Sequence, residues 1–331
     1  MEAHKSHQIH ANEVPEIKQP SAHLAEVATE QVVRPISEQP YDPSHDYDIT
    51  VPFRSGVHFG REIEATIDTL DPVKDAREIY RLTYEALHAS EYLSRGFYNV
   101  TFLRQAAVPA IAERLYRDGD GTIMTMNRVR NDRTFASFGK MLSPHKEEAD
   151  AEIARVRQVH EKLGIKPEGE MHDHMRYTLA TIVLEPARLR KFLGAGEVPE
   201  KIQKGTINFW NEVAEKMGIQ THSESQEDVL AWMEEYEEKY YEKTEAGQKV
   251  AEALMDDWVN LFPERFSKHS RQLMLSMLDE KLRDTLDLEE PKRWARTLMK
   301  GFTKAYISTT PIRIVKHEPW PVRFAPDSKP N

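Results

Sequence analysis

The sequence predicts an all-α fold. Glycine is sparse, with 14 in 331 residues, and charged residues make up 30% of the chain. Beyond about residue 60, apolar residues recur at steps of three or four through one stretch after another, which is the spacing of a helix face. Strand signals are few: "DITVPF" near residue 50 and "TPIRIV" near 312. With 39% hydrophobic residues the chain is long enough to bury a sizeable core.

Residues 1–45 are polar, carry scattered Pro and His, and show no sustained period. They read as a flexible or draped leader ahead of a helical domain over 46–325. The leader histidines His4, His7 and His10 suit a solvated tail better than a metal site. "DPVKDAREIYRLTYEALHASEYLS" puts Asp71 and Pro72 at a helix start and Ile79, Leu82 and Leu87 on one stripe. "FLRQAAVPAIAERLYRDGDG" is helical and ends in a turn rich in Gly and Asp. "SPHKEEADAEIARVRQVHEKLG" opens with Ser143 as N-cap and Pro144 at the first helical position, and closes with Gly164 at C′. "HMRYTLATIVLEPARLRKFLG" is the most apolar segment, and Pro186 either kinks it or starts a new helix. "PEKIQKGTINFWNEVAEKMG" and "SQEDVLAWMEEYEEKYYEKT", the second capped by Ser225, are amphipathic; "GQKVAEALMDDWVNLF" and "SRQLMLSMLDEKLRDTL" follow. The total is about ten helices in a single multi-helix domain.

Composition narrows the chemistry. A formal net charge of −10 argues against a general attraction to nucleic acid or to anionic membrane, and leaves a local basic patch open. The absence of cysteine excludes disulfides, thiolate nucleophiles, zinc–cysteine sites, iron–sulfur clusters and thiolate-ligated heme within the chain. No apolar run is long enough to span a bilayer and no signal peptide opens the chain, so the expectation is a soluble, cytoplasmic protein. There is no Gly-rich phosphate loop, dinucleotide fingerprint, nucleophile elbow or HExxH. A lone Glu-x-x-His, Glu85 to His88, lacks the second pair that a carboxylate di-iron bundle requires. His172 and His174 would point about 200° apart on a helix, which suits a polar helix entry better than a metal site.

His160 stands out. It continues the stripe Ile153, Val156, His160, Leu163, where the pattern asks for an aliphatic residue. A core-facing imidazole that leaves a ring nitrogen unsatisfied costs about 1–3 kcal/mol. It bonds a buried partner, sits half exposed at the stripe's edge, or ligates a metal or heme iron; periodicity alone favours the first. Upstream, Arg130 and Thr134 are four apart and would share a helix face, where they suit either a polar ligand or a solvated basic turn paired with Glu147, Glu148 and Asp150.

The order of several elements resembles a known family. "RNDRT" (130–134) is followed by "RVRQVH", ending at His160, then by the apolar "YTLATIVLEP" (177–186), "FWNEVAEKMGI" (209–219), "DVLAWMEEY" (228–236) and the basic-aromatic "PKRWARTLMKGFT" (291–303). Together they look like the catalytic domain shared by latex-clearing rubber oxygenases and the ER-bound oxygenase of mycophenolic-acid biosynthesis, over about residues 75–320. The resemblance implies an all-α fold enclosing heme b, one proximal His on the iron, and O2-dependent cleavage of a carbon–carbon double bond in an isoprenoid. By position His160 matches the proximal ligand, and Arg130 and Thr134 match the pocket Arg and Thr. Arg133 stands where the rubber enzymes have Lys, and Glu113 is the nearest candidate for their Glu base. Many members carry Trp or His in the apolar helix where this chain has Tyr177 and Thr178. Tyr177 and Arg157 join His160 and Arg133 as candidates to contact the heme, Arg157 through a propionate.

With neither a membrane anchor like the ER enzyme's nor a secretion signal like the rubber enzymes', the resemblance implies O2 and a small lipophilic, isoprenoid-like substrate rather than a polymer. The apolar helices at 175–184 and 207–217 are the expected walls of its slot. Another heme oxidation and a non-catalytic carrier of a lipophilic ligand are the alternatives.

Overall fold

In the computed structural model the described residues are 56–88, 91–116, 137, 139–143, 146–221 and 225–317. They form an all-α fold with one two-stranded ribbon. Strand β1 (Gly56–Phe59) pairs antiparallel with β2 (Ile314–His317), Gly56 opposite His317 and Phe59 opposite Ile314. The expected strand signal near 312 is thus β2, while the one near residue 50, like the leader 1–45, lies outside the described residues. Helix α1 (Gly60–Thr69) leaves β1 without a linker. Gly60 is required there, because a Cβ would lie 1.8 Å from the Thr310 carbonyl oxygen.

The backbone N–H groups of Val73 and Lys74 donate to Asp71 Oδ1, so Asp71 shapes the turn leading into α2 (Ala76–Arg81). The helix then widens into a π-helical turn, Leu82–Leu87. Next comes α3 (Glu91–Ala106), and Pro109, at the first position of α4 (Pro109–Leu115), divides what reads in sequence as one helix. The extended Val108 before it shows why: the residue preceding a proline is pushed out of the helical region.

Helix α5 (Lys146–Lys162) ends as expected: Gly164 has φ +71°, and the Ile165 N–H donates to the His160 carbonyl at 2.8 Å. Ser143 Oγ donates to Glu148 Oε2 at 2.7 Å, in the first turn of that helix. Pro144 lies outside the described residues. Helix α6 (Glu170–Phe192) runs unbroken through Pro186. Helix α7 (Glu200–Met217) follows, and α8 (Gln226–Tyr240) is capped by Ser225 in a box with Asp228. The last segments are α9 (Glu245–Val259), α10 (Ser267–Leu275), α11 (Glu280–Thr285) and α12 (Arg293–Ser308). Asp279, which accepts from the Leu282 N–H, starts α11 and splits the stretch that reads as one helix in sequence.

Three apolar clusters hold these helices. Leu103, Leu254 and Met274 centre the one between α3, α9 and α10. Tyr177, Phe209 and Met233 centre another between α6, α7 and α8, which also takes Ile153 and Val156 of α5. Ile63, Ile79, Leu82 and Val315 make a smaller third. Helices α2 and α7 cross at Gly205, where a Cβ would stand 2.7 Å from Ile79 Cγ2.

Candidate functional site

The stripe on α5 leaves the core as it runs toward its C-terminus. Ile153 is buried, Val156 half-buried, and Leu163 43% exposed. His160 sits between, half-buried, with its Nδ1 shielded from solvent and without a hydrogen-bond partner. The ordinary buried partner that periodicity favoured is therefore absent among the described residues. Burial holds the imidazole below its usual pKa, so the ring is neutral near neutral pH.

The seam between α5 and α7 is fixed by charge. Lys216 bonds Asp150, and Glu212 at 2.5 Å. Burial alone would lower the Lys216 pKa, but the two carboxylates raise it, so the ammonium stays charged. Arg157 is exposed on α5; its Nε donates to Glu161 Oε1 at 3.1 Å and its Nη1 to the Lys216 carbonyl at 3.2 Å. Arg155 is also solvent-facing but folds back on Glu152, with N···O distances of 2.9 and 2.6 Å, and Ser137 Oγ donates to the same carboxylate at 2.5 Å. Burial raises the Glu152 pKa, yet these donors outweigh it and hold the carboxyl below its ordinary value.

Helix α6 carries two working faces. Arg176, Leu179, Ala180, Val183 and Leu184 lie on one, at spacings of three and four. They line a cleft together with Ile207, Trp210 and Asn211 of α7, Thr221, and Val229 of α8. The cleft is mainly apolar, and its lining comes largely from the apolar segments 176–184 and 207–211. Tyr177, Thr181, Glu185 and Arg188 lie roughly 130° around the same helix. They face a buried ion network. Arg104 Nε donates to Glu185 Oε2 at 2.6 Å and Nη2 to Asp279 Oδ2 at 2.7 Å, while Nη1 stands 3.5 Å from Glu237 Oε1. Arg188 Nη1 donates to Glu237 Oε1 at 2.7 Å. Burial opposes the Arg104 charge, but Glu185, Tyr241, Glu237 and Asp279 together raise its pKa.

Tyr177 belongs to that network. It is fully buried, donates to Glu237 Oε1 at 3.0 Å, and its hydroxyl lies 2.7 Å from that of Tyr241. Its ring stacks on Tyr236 at 4.2 Å between centroids. Glu113 is exposed on α4. No hydrogen bond or ion pair joins Glu113, Arg157, Tyr177 and His160 to one another among the described residues. Arg130, Arg133 and Thr134 lie outside the described residues. His172 Nε2 accepts the Gln220 backbone N–H at 3.0 Å and His174 Nδ1 lies 2.5 Å from the Tyr236 hydroxyl, so both have structural partners.

The network itself escaped sequence reasoning. Its one signal is a charge inside an apolar run, Arg104 in "FLRQAA" and Glu185 in "TIVLEP". Such a charge must be paired when buried, but nothing local says with what.

Comparison with curated proteins finds no match. The family model for the catalytic domain of ER-bound oxygenase mpaB/B′ and rubber oxygenase matches residues 94–306, from α3 to near the end of α12. That span covers well over half the chain and includes His160, the cleft and the ion network. The chain therefore belongs to the mpaB/B′ and rubber oxygenase family, through its catalytic domain.

Proposed function

We propose that this chain is a heme b-dependent oxygenase acting on a small lipophilic, isoprenoid-like substrate, with His160 as the protein ligand to iron. The observation that carries the reading is the His160 ring: a shielded nitrogen without a partner, on an imidazole that burial keeps neutral. A polar atom stranded this way costs about 1–3 kcal/mol. An occupant that uses the ring offsets that cost, and a neutral imidazole has the lone pair a metal ligand needs. The residues present fit a single-histidine heme. When bound, heme b supplies iron that activates O2 for cleavage of a carbon–carbon double bond.

The chain's own residues do the seating. Leu179, Val183, Ile207 and Val229 exclude water from the cleft, and Arg176, Asn211 and Thr221 give it a few polar points to orient a ligand. The Arg176 guanidinium is held 4.0 Å over the Trp232 ring, which fixes its position. Arg130, Thr134 and Glu113 are the proposed polar groups of the reaction pocket, and Arg133 a proposed heme contact. Arg157 and Tyr177 support the site by holding α5 on α7 and α6 in the ion network, since their polar atoms are already engaged.

The absorption spectrum of the purified protein tests this reading. A Soret band is expected, lost in His160→Ala and restored by added imidazole. A colourless wild-type protein that does not retain added heme refutes it. Isotopically labelled O2 separates cleavage, which labels two carbonyl fragments, from other heme oxidations. Lipophilic-ligand binding without heme identifies a carrier.

A further inference from the structure

Helix α12 does not behave like the helices around it. Of its residues only Ala295 is buried. Trp294, Leu298 and Phe302 are 40%, 53% and 53% exposed. They are spaced four apart, so they form one stripe about 80° wide and about 12 Å long. The ribbon strand that follows turns Ile314 outward as well, 66% exposed. Phe302 stacks on Tyr306 at 6.0 Å, and the Arg313 guanidinium lies 3.6 Å over that Tyr306 ring. The apolar stripe thus continues into an aromatic–cation stack.

The charge around the stripe is one-sided. From Lys292 to Lys316 the sequence holds seven Lys or Arg and neither Asp nor Glu, in a chain whose formal net charge is −10. Arg293, Lys300 and Lys304 fall within about 40° of one another on α12, and their side chains make no hydrogen bond or ion pair among the described residues. Arg296 is engaged, at 3.2 Å from Glu290. By the 100° step the exposed arc of α12 runs from this cationic edge, past Thr297 and Gly301, to the Trp–Leu–Phe edge. The half-buried Met299, Thr303 and Tyr306 lie on the opposite side, toward the body. A helix with Trp, Leu and Phe on one flank and unpaired Lys and Arg on the other matches a helix lying in the plane of a lipid interface. It does not match a spanning helix, and no helix of the described residues is long and apolar enough to cross a membrane.

We propose that α12 docks the protein on an anionic lipid bilayer, with Trp294, Leu298 and Phe302 entering the headgroup boundary and Lys300, Lys304 and Arg293 facing the acidic headgroups. A chain with a net charge of −10 is otherwise repelled by such a surface, so this patch sets the docking orientation.

Flotation of the full chain with vesicles tests it. Vesicles of phosphatidylcholine with about one third phosphatidylserine should carry the protein, and pure phosphatidylcholine should not. Raising the salt to about 0.5 M should release it, since screening shortens the reach of the headgroup charge. Lys300→Gln with Lys304→Gln should weaken partitioning about 30-fold, and Leu298→Ser with Phe302→Ser by at least tenfold. All four side chains are exposed, so melting midpoints should stay within about 1 °C of wild type in Lys300→Gln/Lys304→Gln and within about 4 °C in Leu298→Ser/Phe302→Ser, which also loses the Phe302–Tyr306 stack. Absent flotation overturns the proposal. So does flotation that is equal on neutral vesicles, or unchanged in both double variants. Concentration-dependent dimerisation abolished by Leu298→Ser/Phe302→Ser, without vesicle binding, assigns the stripe to a second copy of the chain and also overturns it.

Discussion

Replacing Arg104 with leucine removes the cation at the centre of the buried network. Glu185 is fully buried and has only one hydrogen-bonded oxygen, the Oε2 that takes Arg104 Nε. In Arg104→Leu neither oxygen keeps a hydrogen bond, and Arg188 remains only as a nearby charge. Asp279 loses its 2.7 Å contact but is a third exposed, so water compensates it, and Glu237 keeps Arg188 and Tyr177. The cost therefore concentrates on Glu185. Breaking a buried pair from one side costs about 3–5 kcal/mol. At roughly 2 °C per kcal/mol for a chain of this size, the melting midpoint should fall by about 6–10 °C. Arg104→Leu/Glu185→Leu removes both charges and should recover at least half of that loss, because an apolar pair of similar volume often replaces a buried ion pair with little change. Differential scanning calorimetry at neutral pH, with circular dichroism to confirm that the helices remain, measures both. A fall of less than about 2 °C in Arg104→Leu refutes the reasoning, and so does a double variant as unstable as the sum of its singles.

Other outcomes follow from the same contacts. Tyr177→Phe removes the bonds to Glu237 and Tyr241 and should cost about 1–3 kcal/mol in urea unfolding. Gly205→Val forces Ile79 away from the α2–α7 crossing and should lower the melting midpoint by several degrees, far more than Gly301→Val, where a Cβ meets open space. His88 is held neutral by burial and by Arg313 and Arg190, with its pKa pushed down from 6.5 to about 4. The unfolded chain takes up that proton near pH 6.5 and the folded chain only near pH 4. Stability is therefore lost as pH falls through this window, by up to about 3 kcal/mol. His88→Gln should flatten that part of the stability–pH curve; an unchanged slope assigns it to other groups. Ser225→Ala should cost about 1 kcal/mol through loss of the α8 cap, read by the same urea titration.

Local sequence determined the helices because each needs only its own period and its own ends. Gly164 closes α5, Ser225 opens α8 and Pro109 divides α3 from α4, all through contacts within a few residues. The same local logic marked His160 as a polar residue on an apolar stripe, and the α6 and α7 segments as apolar helices. Periodicity says which face is turned inward, but not what meets it. Arg104 and Asp279 are 175 residues apart, and Arg104 and Glu185 are 81 apart. Only the packing of α3, α6, α8 and α11 decided that these charges neutralise one another, while the His160 ring nitrogen finds no partner among the described residues. The exposed stripe on α12 shows the same division. Its amphipathic pattern is plain in "RWARTLMKGFT", yet only the tertiary structure shows that the described residues leave the apolar edge exposed, because burying a face requires a neighbour that the pattern does not name.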